Sequence, residues 1–455
     1  MEANEREEPR PKSPSEEVAA LWAKLDQRRI QERATTAAEQ SGRLEAAAEA
    51  VVVKLPSVPA GASLCNTHPH SSQVSLNGFP GLRAAVGLDW WEVRAAVEFK
   101  ESVFAELMAK LEESKRSCQD LQQDEKWLKL EWVPPFRIYR MGLGGTGEHF
   151  EYKIDCGGID IGLGKRQGEL DGQPNLLVRM SGRECLLKGT REAYEQVKQF
   201  VGRLGATFLW EKLSRVDVCM DVANLAVRSF KPLIDSRCFI TRAKSLIPYE
   251  NAVTGEWTGF AAGKRPLRLI VYDKLREQAK KADDLYLQAL IQRRYEGSLP
   301  DHGTRLEFQM SRQWLLDHGV SSPDDFLERQ SAIIEKLTRE WFRVTAEPVV
   351  CDAKHQSRAA IHPLWISIGE AFSEALGMST EPMAPVDRKT VNPLRLIKQG
   401  FGCLRNAALQ CGFVCLQPEH WLEVTGLLFD KAFATKAQKD QFLKDYFFRQ
   451  TEYAA

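Results

Sequence analysis

Three stretches of the chain alternate polar and apolar residues with a period of two. They are Ser214-Arg215-Val216-Asp217-Val218-Cys219-Met220-Asp221, Leu267-Arg268-Leu269-Ile270-Val271-Tyr272-Asp273-Lys274 and Thr304-Arg305-Leu306-Glu307-Phe308-Gln309-Met310. That period marks strands with unlike faces, because successive side chains point to opposite sides of a sheet. One face of the first holds Arg215, Asp217, Cys219 and Asp221, with Val216, Val218 and Met220 behind. One face of the second holds Arg268, Ile270, Tyr272 and Lys274, and one face of the third holds Arg305, Glu307 and Gln309. Side by side, the three would bring carboxylates, a tyrosine and several cations onto one surface.

The same patterning predicts a strand over Leu88–Val97 and a charged helix from Val103 to Leu130. Strands follow around Tyr152–Asp155, Ile159–Leu163 and Leu176–Met180, separated by turn glycines at Gly157, Gly158, Gly172 and Gly182. Thr190 is placed to cap a helix running to Leu204, with Glu192 in its first turn. Strands Thr254–Ala261 and Leu267–Tyr272 join through Gly263–Pro266, and a helix from Leu275 to Tyr295 leaves the second of them. Beyond Asp324 the periodicity is helical, over Phe326–Val344, His362–Leu376, Leu394–Gln410 and two short helices to the end. The expected fold class is α+β, a mostly antiparallel sheet with a helical C-terminal region. Three parts are expected: a flexible or helical arm over residues 1–80, a catalytic domain over 81–345 and helices over 346–455. The arm is charged and rich in Pro, Ala, Glu and Gln, a composition ill suited to burying a core.

Composition adds bounds. The 455 residues are enough for two or three domains, and 43% hydrophobic with 27% charged residues suits an ordinary globular protein. Net charge is zero, yet Lys264–Glu296 carries nine Lys/Arg against five Asp/Glu, a modest basic excess around the tyrosine strand. Ten cysteines lack any zinc-like spacing and read as reduced, mostly buried thiols. No apolar run reaches a membrane span and the acidic start is unlike a signal peptide, so a cytoplasmic protein is expected, with no membrane contact.

The polar residues of the three strands suit cleavage of a DNA backbone bond. Such cleavage needs an in-line nucleophile, neutralisation of phosphoryl charge and help for the departing 3′ oxygen. Tyr272 can attack and form a covalent 5′-phosphotyrosine. Asp217 with Glu307, with or without Asp221, can hold Mg²⁺ or Mn²⁺ through hard oxygens. Arg268, Lys274 or Arg305 can clamp phosphate, and a metal with nearby cations would favour the phenolate. The plainer reading is a solvated sheet face, where the same alternation yields surface ion pairs and no activity.

The runs RVDVCMD, VYDKLRE and TRLEFQM, in this order, resemble the replication initiation factor family. That family comprises rolling-circle plasmid initiators and the related MobT relaxases of conjugative elements. LDWWEV upstream resembles its opening strand, and IDIGLGKR with LLVRMSGREC resembles its Gly-turn segment, so the resemblance covers about residues 85–345. It implies a core similar to paired RRM-like half-domains. It also implies nicking of one strand at an origin, leaving a free 3′-OH and a 5′ phosphate attached to the protein. The family's nucleophile then falls on Tyr272, with Lys274 and Arg268 beside it as catalytic groups. Its metal-binding acids fall on Asp217 and Glu307, with Asp221 undecided, and Arg305 and Arg215 are expected to contact DNA. Implied partners are origin DNA (single-stranded or cruciform), a helicase and a second copy in a homodimer. A relaxase for conjugative mobilisation, a DNA-binding module in which Tyr272 stacks on bases, and a metal nuclease using water are the alternatives.

Other candidates are weaker. His68-Pro69-His70 sits among loop-forming residues, and Gly142–Gly147 lacks the lysine of a phosphate loop. His149 and His302 read as isolated histidines, Tyr286 and Tyr295 as packing residues, and Cys219 as a small space-filler.

Overall fold

The computed structural model describes residues 74–145, 148–168, 172–281, 283–349, 358–376, 393–413 and 420–444. The alternating stretches become strands, introduced here in chain order: β1 (Val74–Ser75), β2 (Arg83–Phe99), β3 (Glu125–Leu130), β4 (Val133–Tyr139), β5 (Leu143–Gly145), β6 (Glu148–Phe150), β7 (Tyr152–Cys156), β8 (Ile159–Leu163) and β9 (Leu176–Ser181). The remainder are β10 (Ala206–Ala223), β11 (Phe239–Thr241), β12 (Leu246–Glu250), β13 (Trp257–Lys264), β14 (Leu267–Asp273), β15 (Gly303–Ser311) and β16 (Phe342–Val344). Twelve of them form one sheet in the order β12-β13-β14-β15-β10-β2-β9-β8-β7-β4-β3, with β1 also on β2. Every pairing in it is antiparallel.

The long central strands β2 and β10 join two halves built on one plan. In each, the central strand leads to a helical segment (Glu101–Asp120 after β2, Val227–Asp235 after β10), then a meander. The last strand of each meander, β9 or β15, returns beside the central strand. The apolar faces carry Val216, Val218, Met220 and Val222 of β10, Leu306, Phe308 and Met310 of β15, and Leu269 and Val271 of β14. They share one buried cluster with Leu107 and Leu111 of helix Glu101–Asp120, Val197 and Phe200 of helix Thr190–Arg203, Phe326 of helix Pro323–Glu335 and Phe372 of helix Pro363–Leu376. Burying each such side chain is worth about 1.5–3 kcal/mol, so the sheet is held from behind by its helices.

The expected α+β class with helices toward the C-terminus is what forms. Several boundaries differ for local reasons. The helix expected to reach Leu130 stops at Asp120, and alternating Glu125–Leu130 pairs with β4 instead. The helix expected over Leu275–Tyr295 breaks into Lys274–Ala279 and Asp284–Arg294, because the Asp283 carboxylate accepts from Tyr286 N and caps the second. Thr190 is the first helical residue, and Gly189 precedes it at φ 84, a left-handed conformation that suits glycine. The helix expected over Phe326–Val344 ends in a π turn, after which Phe342–Val344 pairs with β11.

The chain divides into two compact units, Met1–Ala384 and Pro385–Ala455. In the second, helices Pro393–Gln410 and Trp421–Ala432 bury Ala408, Val424 and Leu428 against each other. No helix among the described residues is long and apolar enough to cross a membrane. His68 and His70 lie outside the described residues, as does the arm before Val74.

Candidate active site

The three alternating strands are neighbours, with β15 between β14 and β10. Their register sets Asp221, Arg305 and Tyr272 in one row, Cys219, Glu307 and Ile270 in the next, and Asp217, Gln309 and Arg268 in a third. Directly opposed side chains in such a ladder have Cβ atoms about 4.5–5.5 Å apart, and diagonal neighbours about 7–8 Å. Glu307 is thus central. Its Oε2 accepts from the Tyr272 hydroxyl at 3.1 Å and its Oε1 accepts from Gln309 Nε2 at 2.7 Å. Asp217, on the opposite diagonal, is held by the Arg215 guanidinium through both oxygens, at 2.9 and 2.5 Å.

This is not a solvated face. Helices Gly182–Lys188, Lys274–Ala279 and Asp284–Arg294 roof one end of it, packing Leu186, Leu275, Tyr286, Leu290 and Tyr295 over Ala223. Relative exposure falls to 2% for Asp217, 0% for Asp221, 1% for Arg305, 4% for Glu307 and 2% for Lys274. Charges buried so deeply are tolerated only when paired and hydrogen-bonded. Arg305 meets that condition with Nε and Nη2 on the two oxygens of Asp221, at 2.6 and 2.7 Å, and Nη1 on Asp89. Arg294 lies 3.8 Å from the same Asp221 carboxylate. Its guanidinium occupies the space where a side chain at Gly87 would stand, since a Cβ there would come within 1.6 Å of Nη2.

Two expectations about cations change with this burial. Arg305 was expected to contact DNA, but its fork is committed to Asp221 and Asp89 beneath the roof. Lys274 was expected to clamp phosphate, but it is buried in an ion pair with Glu277 at 2.9 Å. Its ammonium sits over the rings of Tyr272 and Tyr286, at 5.7 and 5.5 Å. Asp221 is the anchor of Arg305, with both oxygens engaged. Arg215 combines its pair to Asp217 with a place over the Trp90 ring at 4.9 Å. Arg268 lies toward the unroofed end and donates to the Tyr249 hydroxyl.

Asp89 is the site residue that the three-strand reading missed. Between Leu88 and Trp90, strand β2 carries one residue more than β10 opposite Asp217 and Val218, and the extra residue is Asp89. Such a bulge re-aims a side chain, here onto the polar face. A signal exists in the sequence. The apolar positions that join the main core are even before the bulge (Ala84, Val86, Leu88) and odd after it (Trp91, Val93, Ala95, Val97). That change of parity leaves consecutive Asp89 and Trp90 together on the polar face. Gly182 completes the fit, because a Cβ there would come within 2.3 Å of Asp89 Oδ1.

Electrostatics follow from this crowding. Burial pushes Asp217 up to about 8, with Glu307 and Asp89 adding to the rise and Arg215 opposing it. Burial and the Asp89 charge raise Glu307 above the usual carboxylate range, against Arg305, Gln309 and Lys274. For Asp89 burial also works against ionisation, but Arg305, Lys274, Lys281 and Arg294 outweigh it and hold the carboxyl well below its ordinary value. Burial raises the Tyr272 phenol well above its ordinary value; Arg305 pulls it down, while Glu307 and Asp89 push it up. The neighbouring cations therefore do not, by themselves, produce the phenolate expected from the sequence.

The minor candidates find ordinary places. Tyr286, Tyr295 and Cys219 are buried, and the backbone carbonyl of His302 accepts from Asn224 N at 2.7 Å. Leu143–Gly145 pairs with Glu148–Phe150 as a hairpin, while the side chain of His149 lies outside the described residues.

A scan against protein-family models finds no match, and a search of curated proteins finds none. Among solved structures, the chain is similar to a rolling circle replication initiator protein from Geobacillus stearothermophilus. The identity is 13% and the TM-score 0.37, over 67% of this chain and 100% of that one. The case for function rests on the residues of the site.

Proposed function

We propose that this protein is a tyrosine-dependent, metal-assisted enzyme that nicks single-stranded DNA and keeps the broken end, initiating rolling-circle replication at an origin. The observation that carries the reading is the hydrogen bond from the Tyr272 hydroxyl to Glu307, inside a buried pair of carboxylates on adjacent strands. In this mechanism Tyr272 Oη attacks phosphorus, the P–O3′ bond breaks, and the phenol proton passes to Glu307. The 3′ oxygen leaves and takes a proton from solvent, while the 5′ phosphate stays on the tyrosine. Lys274 over the ring favours negative charge on the phenol oxygen as it develops. Arg305, bonded to Asp221 and Asp89, ties the strand of Glu307 to β10 and β2.

Among the described residues no three His, Cys, Asp or Glu side chains are grouped to hold a metal ion. Asp217 and Glu307 would take a magnesium or manganese ion in exchange for the Arg215 bonds of Asp217 and the Gln309 bond of Glu307. They offer hard oxygens, their ionisation is opposed by burial and by neighbouring acids, and such ions often bind through one or two carboxylates plus substrate phosphate and water. When bound, the ion would neutralise charge on the phosphoryl oxygens. Origin DNA, a helicase, a homodimer and a cytoplasmic location belong to the same proposal. A conjugative relaxase would use the same chemistry.

The test is a 3′-end-labelled library of single-stranded oligonucleotides incubated with the full chain and Mn²⁺, then resolved under denaturing conditions. The expected result is a labelled covalent adduct that Tyr272→Phe abolishes while DNA binding persists. Cleavage surviving in Tyr272→Phe would show that water attacks instead. Binding without any adduct across the library would leave a DNA-binding module and remove the enzyme.

A further inference from the structure

The polar face is roofed at the Asp221–Arg305 end and open at the other. At the open end lies a groove of about 410 Å³ whose lining includes Arg215, Lys264, Arg265, Arg268, Gln309 and Ser311. Four of these are cations, and none of the residues lining the groove is acidic. Lys264 and Arg265 stand exposed where β13 turns into β14. Gly263, paired with Arg268 just before that turn, sits at φ +79, and a Cβ there would come within 2.6 Å of Leu267 O. Several cations on this sheet are neutralised by an acid, as Arg179 is by Glu92 and Arg215 is by Asp217. Among the described residues, Arg268 has only the neutral Tyr249 hydroxyl, and the side chains of Lys264 and Arg265 take part in no ion pair or hydrogen bond. A chain with no net charge thus keeps three uncompensated cations together in one concavity.

The groove is continuous with the acid pair. Arg215 lines it and holds Asp217; Gln309 lines it and donates to Glu307. Arg268 and Tyr272 share one face of β14, four residues and roughly 13 Å apart at the rise of a strand. Tyr249 borders it through Arg268 and offers an aromatic face of the kind on which unpaired bases stack.

We propose that this groove binds the phosphodiester backbone of single-stranded nucleic acid through Lys264, Arg265 and Arg268. It would direct the strand along β14 toward Tyr272. Binding in the groove stands independently of nicking, whereas delivery to Tyr272 rests on the function proposed above.

The experiment measures fluorescence anisotropy of an oligo-dT about 20 nucleotides long with the full chain, over a range of salt concentrations. The double variant K264E/R265E lies on an exposed turn, and its thermal unfolding reports that the fold is kept. Its affinity should fall at least about tenfold, and its log–log salt slope should flatten by about 1.4, roughly 0.7 for each single-strand phosphate that is no longer neutralised. Unchanged affinity and salt slope in K264E/R265E would overturn the groove. Equal binding of a duplex of the same length would overturn its preference for single strands. The two proposals fail separately: weakened binding in K264E/R265E with no adduct from the unaltered protein removes nicking and keeps the groove. An adduct formed equally well by K264E/R265E keeps nicking and removes delivery of the strand along the groove to Tyr272.

Discussion

Across β2, β9, β8, β7 and β4 the polar face of the sheet is a ladder of opposite charges: Glu92 pairs with Arg179, Asp160 with Lys153, and Asp155 with Arg137. Across β10, β15 and β14 the same face carries Asp217, Glu307, Tyr272, Asp221 and Arg305. Both regions arise from period-two alternation, and Arg215 opposite Glu92 joins them. In the first, cations rest over aromatic rings such as Trp90, Trp127 and Tyr139, and most of the side chains keep contact with water. That is the solvated face which alternation alone predicts. In the second, three helices roof the Asp221–Arg305 end and the charged groups are buried. The difference lies in what covers each half.

Four outcomes would break or sharpen that contrast. The largest concerns Tyr272→Phe, which should lower adduct formation by at least about 10³-fold, since no other group on the face replaces the nucleophile. Its unfolding free energy should change by only about 1 kcal/mol, the worth of one hydrogen bond. A comparable loss of activity on mutating Tyr139, over which Lys153 lies in the other half, would erase the distinction between the halves.

Next comes stability. Asp221→Ala leaves Arg305 without its main partner beneath the roof and should cost about 3–5 kcal/mol in denaturant unfolding. If Asp221→Ala proves mild, the roofed region is as wet as the ladder and the contrast collapses.

The third outcome is a pH dependence. The folded-state pKa of Asp217 is raised, from its ordinary 3.8 to about 8. The folded protein therefore holds a proton that the unfolded chain releases. Stability from this group is present below about pH 4 and is lost as pH rises to about 8. Mn²⁺ must displace that proton, so its affinity should rise about tenfold per pH unit below pH 8, read as an upward shift of the unfolding midpoint. Asp217→Asn should flatten both trends. A metal effect independent of pH would place the ion elsewhere.

The smallest effect is expected in the ladder, where Lys153→Ala should change stability by no more than about 1 kcal/mol, as half-exposed ion pairs do. A cost near that of Asp221→Ala would show that the ladder, too, is a buried network.

The strands themselves were legible because alternation is a local property, and β8 in particular forms over the residues that its pattern predicts. So was the inventory of polar residues on each face. Asp89 was legible in principle, through the parity change from Leu88 to Trp91, but a window that assumes unbroken alternation passes over it. The role of Arg305 was not legible. Arg305 meets Asp221 across 84 residues of sequence and Asp89 across 216, so neither pair leaves a local trace. The boundaries of the helix after β14 were also missed, since the Asp283 cap competes with a helical pattern that runs through it.

By itself, then, the sequence determined which side chains share a face, because period two is a consequence of backbone geometry alone. It also determined that a tyrosine, carboxylates and cations would be among them. Only the tertiary structure decided which of those charges are buried, which are spoken for and which stay open. Burial depends on helices arriving from Gly182–Lys188, Lys274–Ala279 and Asp284–Arg294, and pairing depends on register between strands far apart in the chain. The same three strands therefore hold a locked ion pair at one end, a hydrogen-bonded Tyr272–Glu307 pair in the middle and unpaired cations at the other.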